Sequence, residues 1–315
     1  MAELSAAEAA VYDRQLRVWG IEVQKRLNAA KVLIAGCTGL GAEVAKNIAL
    51  AGVGSLSLMD STLCAFADPG NFLVHADANQ QSSVAEISAC ALQEMNPLVK
   101  VTVQQGCLDV TDMSFLDFYQ VVLLVDHSLA QQQAWDSACT ARGIAFYSAA
   151  SRGTCAYLFA NLHQHTYTPL EKASIESEEP ATLEQQVIQY PSLAEALQVD
   201  WSTLHPRRSH KLICVLAASA QFERTHKRQA DAADLLAVKQ DVEHNIAQAP
   251  GCKIQVPDAV IEEYLCAEPL PAVNAICGGV LANELLKAVS HKGEPVNNFF
   301  FFSLSDSAGI VQRVG

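Results

Sequence analysis

The stretch Lys31-Val-Leu-Ile-Ala-Gly36-Cys37-Thr38-Gly39-Leu40-Gly41 constrains this chain more than any other. A short apolar run bounded by turn residues has the pattern of a strand buried on both faces, and a glycine-rich turn directly after it leads into a helix. The pattern predicts a helix over about residues 39–51 and a second strand over residues 55–60. Together they form one βαβ unit of about 30 residues.

The alternation continues. A helix is predicted over residues 82–95, stopped by Asn96-Pro97, then strands at 100–103 and 121–126 and a helix near 129–142. Further strands follow at 144–149 and 154–162. Strands alternating with helices mean a mostly parallel sheet covered on both faces, so the predicted fold class is α/β, a doubly wound, Rossmann-like domain. Residues 1–162 form its first part, residues 163–257 an insertion of acidic loop and helices, and residues 258–315 a C-terminal helix and strands that return to the sheet. The first 30 residues read as one amphipathic helix, with Ser5 and Glu8 as a capping box. Val11, Leu16, Val18, Trp19, Ile21, Val23 and Leu27 supply its buried stripe, and Gly20 is a place where it can break in two. The run Phe299–Phe302 reads as core, and helices are predicted at about 208–225, 230–248 and 271–291.

Charge and cysteine usage narrow the class. A net charge of −13 argues against a general nucleic-acid binder, which needs a basic surface to release counterions. The N-terminus lacks the charged-then-apolar pattern of a secretory signal, and apolar stretches such as 212–220 are too short to span a membrane. None of the ten cysteines lies in a C-x-x-C, which excludes the common zinc ribbons and points to buried free thiols in a reducing, intracellular setting.

The glycine turn carries the first candidate site. In G-x-G-x-x-G the first glycine makes the turn, the second lets the backbone approach phosphate, and the third lets helix pack on strand. Here Gly36, Gly39 and Gly41 fall on the stretch, but Thr38 stands at the second glycine, while Asp60 supplies the acid expected at the end of the second strand. Two readings stand: glycines that only build a turn beside a vestigial site, or a working NAD or ATP site that tolerates threonine. Other clusters are weaker. His163 and His165 with Glu171 read as solvated polar chain before a metal site. Arg207-Arg208 with His210-Lys211 reads as a solvated helix start before an import signal, and Arg14 by spacing alone is a surface arginine beside an Asp13–Arg17 pair.

Further segments carry a resemblance. Tyr12-Asp13-Arg14-Gln15-Leu16-Arg17-Val18-Trp19-Gly20 precedes the first strand, and Asp68-Pro69-Gly70-Asn71-Phe72-Leu73 follows the second. A late helix with Pro271, Gly278-Gly279, Ala282, Glu284 and Lys287 runs into Asn297-Asn298-Phe299. Together they resemble the adenylation-domain family of ubiquitin-like-protein activating enzymes, and in particular the non-catalytic halves of its heterodimers. In active halves the family carries a full glycine motif, an arginine in N-x-N-R-Q-F, a phosphate-binding lysine and paired C-x-x-C zinc ligands. This chain has Thr38, no arginine in Gly70-Asn71-Phe72-Leu73, Val84 at the lysine position and no C-x-x-C, but keeps Asp126 where the family has a metal-holding aspartate.

The resemblance therefore implies a degenerate nucleotide loop, with Gly36, Thr38, Gly41, Asp60 and Asp126 as its remnants and no metal of its own. ATP and Mg²⁺ would be bound by a larger catalytic partner, and Arg14 would reach across the dimer to the phosphates there, as an arginine finger. The implied partners are that catalytic subunit, the modifier SUMO and, through the complex, the SUMO-conjugating enzyme, with no nucleic acid or membrane. Residence in the nucleus and cytoplasm is implied likewise. Two alternatives remain: a self-sufficient homodimeric adenylating enzyme, and an NAD-dependent oxidoreductase using Asp60 on the ribose.

Overall fold

The computed structural model describes residues 4–75, 77–106, 112–170 and 184–315. Three short helices, α1 (Ala6–Val11), α2 (Asp13–Trp19) and α3 (Ile21–Ala29), lead into β1 (Lys31–Ala35), α4 (Gly39–Leu50) and β2 (Ser55–Met59). Then follow α5 (Val84–Met95), β3 (Lys100–Val103), β4 (Val121–Val125), α6 (Leu129–Thr140), β5 (Ala145–Arg152) and β6 (Cys155–Asn161). The remainder is β7 (Gln164–Tyr167), β8 (Gln186–Gln189), α7 (Leu193–Ala196), α8 (Leu212–His226), α9 (Leu235–Gln248), α10 (Asp258–Cys266), α11 (Pro271–Ser290), β9 (Phe299–Ser303) and β10 (Ala308–Gln312).

One eight-stranded sheet, ordered β10-β9-β6-β5-β4-β1-β2-β3, organises these elements. The strands from β3 to β5 are mutually parallel. On the other side β6, β9 and β10 are added antiparallel. The doubly wound, mostly parallel fold expected from the alternation is observed. Period-two alternation then sorts the core. Val32 and Ile34 join α4, α5 and α11 on one face, while Leu33 and Ala35 join α6 and α8 on the other. All five residues of β4 are buried, as a strand covered on both faces requires. In β9, Phe299 and Phe301 enter one core and Phe302 the other.

The tail completes the sheet: β9 pairs with β6, and α11 lies along α4. Gly278 permits that approach, because a Cβ there would come within 2.5 Å of the Glu43 Cβ. By length and mean hydropathy α11 matches a membrane span, which the sequence reading passed over, but half of it is buried against the protein. It also holds Glu284, which accepts a hydrogen bond from the Val296 amide at 2.7 Å, so its contacts are those of a core helix. The β7–β8 ribbon and α10 were not anticipated either; the ribbon strands are short and largely polar and carry no period. The acidic residues Glu171, Glu176, Glu178 and Glu179 lie outside the described residues, as does Cys107. Six of the other cysteines are buried free thiols, while Cys90 and Cys266 are exposed.

The N-terminus departs most from expectation. The capping box is present: the Ser5 amide donates to Glu8 Oε2 at 2.7 Å, and the Glu8 amide to Ser5 Oγ at 3.2 Å. The single buried stripe is not. Helix α1 gives way to α2 at Tyr12, and Gly20 (φ 85°) separates α2 from α3. Tyr12 is the anchor, 2% exposed, its hydroxyl accepting from Asn96 Nδ2 at 3.0 Å and its ring lying over Gly52, where a Cβ would be 2.4 Å away. Tyr12, Leu16 and Trp19 share the inward side at i, i+4 and i+7 spacing, which turns Val11 and Val18 outward. Val11, Val18 and Ile21 are accordingly 62%, 76% and 50% exposed.

Candidate functional site

Strand order reverses between β1 and β4, and the helices that follow them leave on opposite faces, so a crevice opens at their carboxyl ends. The glycine turn lines it. Gly36 has φ 97°, and a Cβ there would sit 2.3 Å from the Val125 carbonyl oxygen. A Cβ on Gly41 would sit 2.2 Å from the Gly36 carbonyl oxygen, so both glycines are required by packing alone. Thr38 is the N-cap of α4, with φ −74° and ψ 179°, and its hydroxyl donates to Asp126 Oδ2 at 2.6 Å.

Two of the backbone donors that such a turn offers to phosphate are already taken. The Cys37 amide donates to Asp60 Oδ2 at 2.8 Å, and the Gly39 amide to Asp68 Oδ2 at 2.7 Å. The other oxygens of these carboxylates accept from the Thr62 amide at 2.9 Å and the Gly70 amide at 2.8 Å. The amino end of α6 is filled in the same way, with Glu223 accepting from Leu129 and Ala130 at 3.2 and 2.7 Å. Burial pushes the Glu223 carboxyl up, and these two amides oppose the shift.

Asp126 is committed as well. It adopts a left-handed φ of 58° just past β4, and its Oδ1 accepts from Arg152 Nη1 at 2.7 Å and from the Ser151 amide at 3.2 Å. Burial lowers the Arg152 guanidinium, but the charge and hydrogen bond of Asp126, together with Tyr264 and Tyr157, outweigh it and the net shift is upward. In the stretch Gly70-Asn71-Phe72-Leu73, which lacks the arginine of the active halves, Asn71 is buried and its Nδ2 donates to the Cys37 carbonyl at 2.7 Å. Val84, at the lysine position, is 1% exposed as the first residue of α5.

What remains open is a cavity of about 270 Å³ lined in part by Gly36, Thr38, Asp60, Thr62, Asp126 and His127. That is below the roughly 300–1,000 Å³ of typical ligand pockets. With Asp60, Asp68 and Asp126 around the turn and Arg152 spent on one of them, the residues present do not fit a magnesium triphosphate. A larger depression of about 660 Å³ lies at the far edge of the sheet, between β10 and residues 198–209. It has no glycine turn and no strand-order reversal beside it.

Among the described residues no group of three or more His, Cys, Asp or Glu is placed to hold a metal. His163 Nε2 lies 2.7 Å from the Ile144 carbonyl oxygen, and His165 is buried, stacked on His291 with centroids 4.8 Å apart. In the basic cluster Arg207 and Arg208 are exposed, whereas His210 is buried and stacked on Phe301.

The sequence-predicted residues thus separate into two places. Gly36, Thr38, Gly41, Asp60 and Asp126 meet at the crevice. Arg14 stands apart on α2, exposed and with no hydrogen bond or ion pair among the described residues, between the outward-facing Val11 and Val18. Arg17 is engaged with Asp13 at 2.9 Å, as the i,i+4 spacing predicts. Sequence reasoning missed Asp68, Arg152, Glu223 and Asn274 as members of the site. Asp68 had a visible cue in Asp68-Pro69-Gly70, an Asx-type turn; the others reach the crevice only through tertiary packing.

A glycine turn at the reversal point of a doubly wound sheet defines a nucleotide-binding class of fold, here with carboxylates of the protein itself on two of the turn's backbone amides. The chain belongs to the ThiF family, whose model matches residues 12–314. It is similar to the SUMO-activating enzyme subunit 1A of Arabidopsis thaliana, 35% identical over 322 residues that cover 99% of this chain and 97% of that protein. It is also similar to the SUMO-activating enzyme subunit 1 of Homo sapiens, 33% identical over 344 residues covering 99% and 96% of the two chains.

Proposed function

We propose that this chain is the non-catalytic partner subunit of a heterodimeric SUMO-activating enzyme, supporting ATP-dependent adenylation of the SUMO C-terminus and thioester formation on a larger catalytic subunit. ATP and Mg²⁺ are held by that subunit and not by this chain. Arg14 completes the partner's site in trans, its planar fork meeting the ATP phosphates once the two subunits pair. SUMO and the SUMO-conjugating enzyme meet the assembled complex. The acidic balance of the chain suits protein partners and not nucleic acid or an anionic membrane surface. Residence in the nucleus and cytoplasm belongs to the same proposal and rests on the family resemblance.

The observation that carries this reading is the placement of Arg14. It is a cation without an ion pair among the described residues, on a helix whose outward apolar residues, Val11 and Val18, face water, while the chain's own nucleotide crevice is lined by carboxylates. A cation and apolar side chains on one surface suit a subunit contact that delivers charge to a neighbouring site. Replacing Arg14 by alanine should leave the heterodimer intact on size exclusion and lower adenylate formation at least about a hundredfold, given the roughly 10³–10⁵ supplied by arginine fingers in phosphoryl transfer. A loss below about threefold would remove Arg14 from the phosphates.

A further inference from the structure

We propose that the amino end of α4 is an oxyanion site which Asp68 holds closed with its own carboxylate, and that inorganic phosphate takes the place of that carboxylate once residue 68 is neutral. This deepens the proposal that the chain itself binds no ATP, because it names the group that excludes phosphate.

Helix α4 is twelve residues long and directs its amino end at the 68–71 turn. Asp68 bridges the two segments, one oxygen on the Gly39 amide at 2.7 Å and the other on the Gly70 amide at 2.8 Å. Two amides from different segments converging on one anion, at the positive end of a helix, is the arrangement used for phosphate. The backbones of Gly39 and Gly70 meet there, since a Cβ on Gly39 would lie 2.9 Å from the Gly70 carbonyl oxygen.

Asn274 supplies an independent observation. It is 1% exposed, and its Oδ1 accepts from the Ser151 hydroxyl at 2.5 Å, with Nδ2 on the other side of the amide. That Nδ2 has no hydrogen-bond partner among the described residues. It points at the same junction, 2.5 Å from a Cβ built on Gly39 and 3.2 Å from one built on Gly70. A buried donor without an acceptor is costly to keep. Both oxygens of the planar carboxylate are engaged with the amides, whereas a tetrahedral oxyanion has a further oxygen for Asn274.

The test compares the full chain with Asp68→Ala and Asp68→Ser, unfolded thermally in potassium chloride and in potassium phosphate at matched ionic strength. The wild-type midpoint should be the same in both salts. Asp68→Ala should unfold earlier in chloride and recover on the order of 2–4 °C in tens of millimolar phosphate, the size of shift that millimolar binding produces in a chain of this length. Asp68→Ser keeps a turn-forming hydroxyl, removes the charge and vacates the carboxylate's place, so it should show a gain of the same sign and carries the test if the alanine variant does not fold. Adding Asn274→Ala to the neutral variant should shrink the gain. Phosphate gains in the variants no larger than in the wild type would overturn the assignment and leave the partner role untouched. Phosphate binding by the wild type would overturn it too, together with the statement that this crevice is closed to phosphates.

Discussion

Replacing Arg152 by methionine should strand a buried charge. Asp126 Oδ1 takes Arg152 Nη1 at 2.7 Å and the Ser151 amide at 3.2 Å, and Oδ2 takes the Thr38 hydroxyl at 2.6 Å. The Asp126 side chain is 8% exposed, so without the guanidinium its charge rests on two neutral donors. Breaking a buried pair from one side costs about 3–5 kcal/mol. Arg152 is 22% exposed, so water already shares its solvation, and we expect about 2–4 kcal/mol for Arg152→Met. Asp126→Asn keeps an acceptor for the Ser151 amide and tolerates the left-handed backbone, so its cost should be smaller, about 1–2 kcal/mol. The double variant leaves neither charge and should fall short of the summed costs by about 1.5–3 kcal/mol. Urea unfolding followed by tryptophan fluorescence measures all three, with unchanged m-values licensing the comparison. Additivity within about 0.5 kcal/mol would refute the pairing and return Asp126 to the pool of free metal-binding acids.

Further outcomes follow from the same geometry. Thr38→Gly restores the glycine spacing but should leave ATP·Mg²⁺ binding to the isolated chain undetectable by calorimetry, because Asp68, Asn71 and Val84 remain; micromolar binding would show that threonine alone had closed the crevice. His165 is kept neutral by burial and then by the His291 charge, which push its pKa down to about 4. An unfolded histidine titrates near 6.5, so between about pH 4 and 6.5 the unfolded chain binds more protons and stability falls as pH drops, by about 1–2 kcal/mol after allowing for solvent screening. His165→Phe keeps a ring against His291 and should flatten that slope; an unchanged slope would place the proton elsewhere.

The parallel part of the fold was legible because buried strands and their crossover helices have short, repeating signatures: the apolar runs of β1 and β4 and the Asn96-Pro97 stop after α5 mark element ends by steric rules. The helix at the N-terminus was legible as a helix but not in its orientation. Its period is ambiguous, and Tyr12 wins the inward face through a hydrogen bond to Asn96, 84 positions away, which no local pattern encodes. The remnants Gly36, Thr38, Gly41, Asp60 and Asp126 were found because the turn that gathers them is local. What closes the site was not. Arg152, Glu223 and Asn274 arrive from β5, α8 and α11, brought there by sheet order and helix packing. The arginine missing from Gly70-Asn71-Phe72-Leu73 and the lysine missing at Val84 suggested a vestigial loop, whereas in the structure Asp60 and Asp68 occupy the Cys37 and Gly39 amides.

On this reading the chain contributes to adenylation only through a partner. ATP–pyrophosphate exchange with SUMO, measured for this chain alone, for a catalytic subunit alone and for the purified pair, tests it most directly. Exchange is expected in the pair and none from this chain. SUMO-dependent exchange by this chain alone would mean that the carboxylate-filled crevice binds ATP after all, and would contradict this reading.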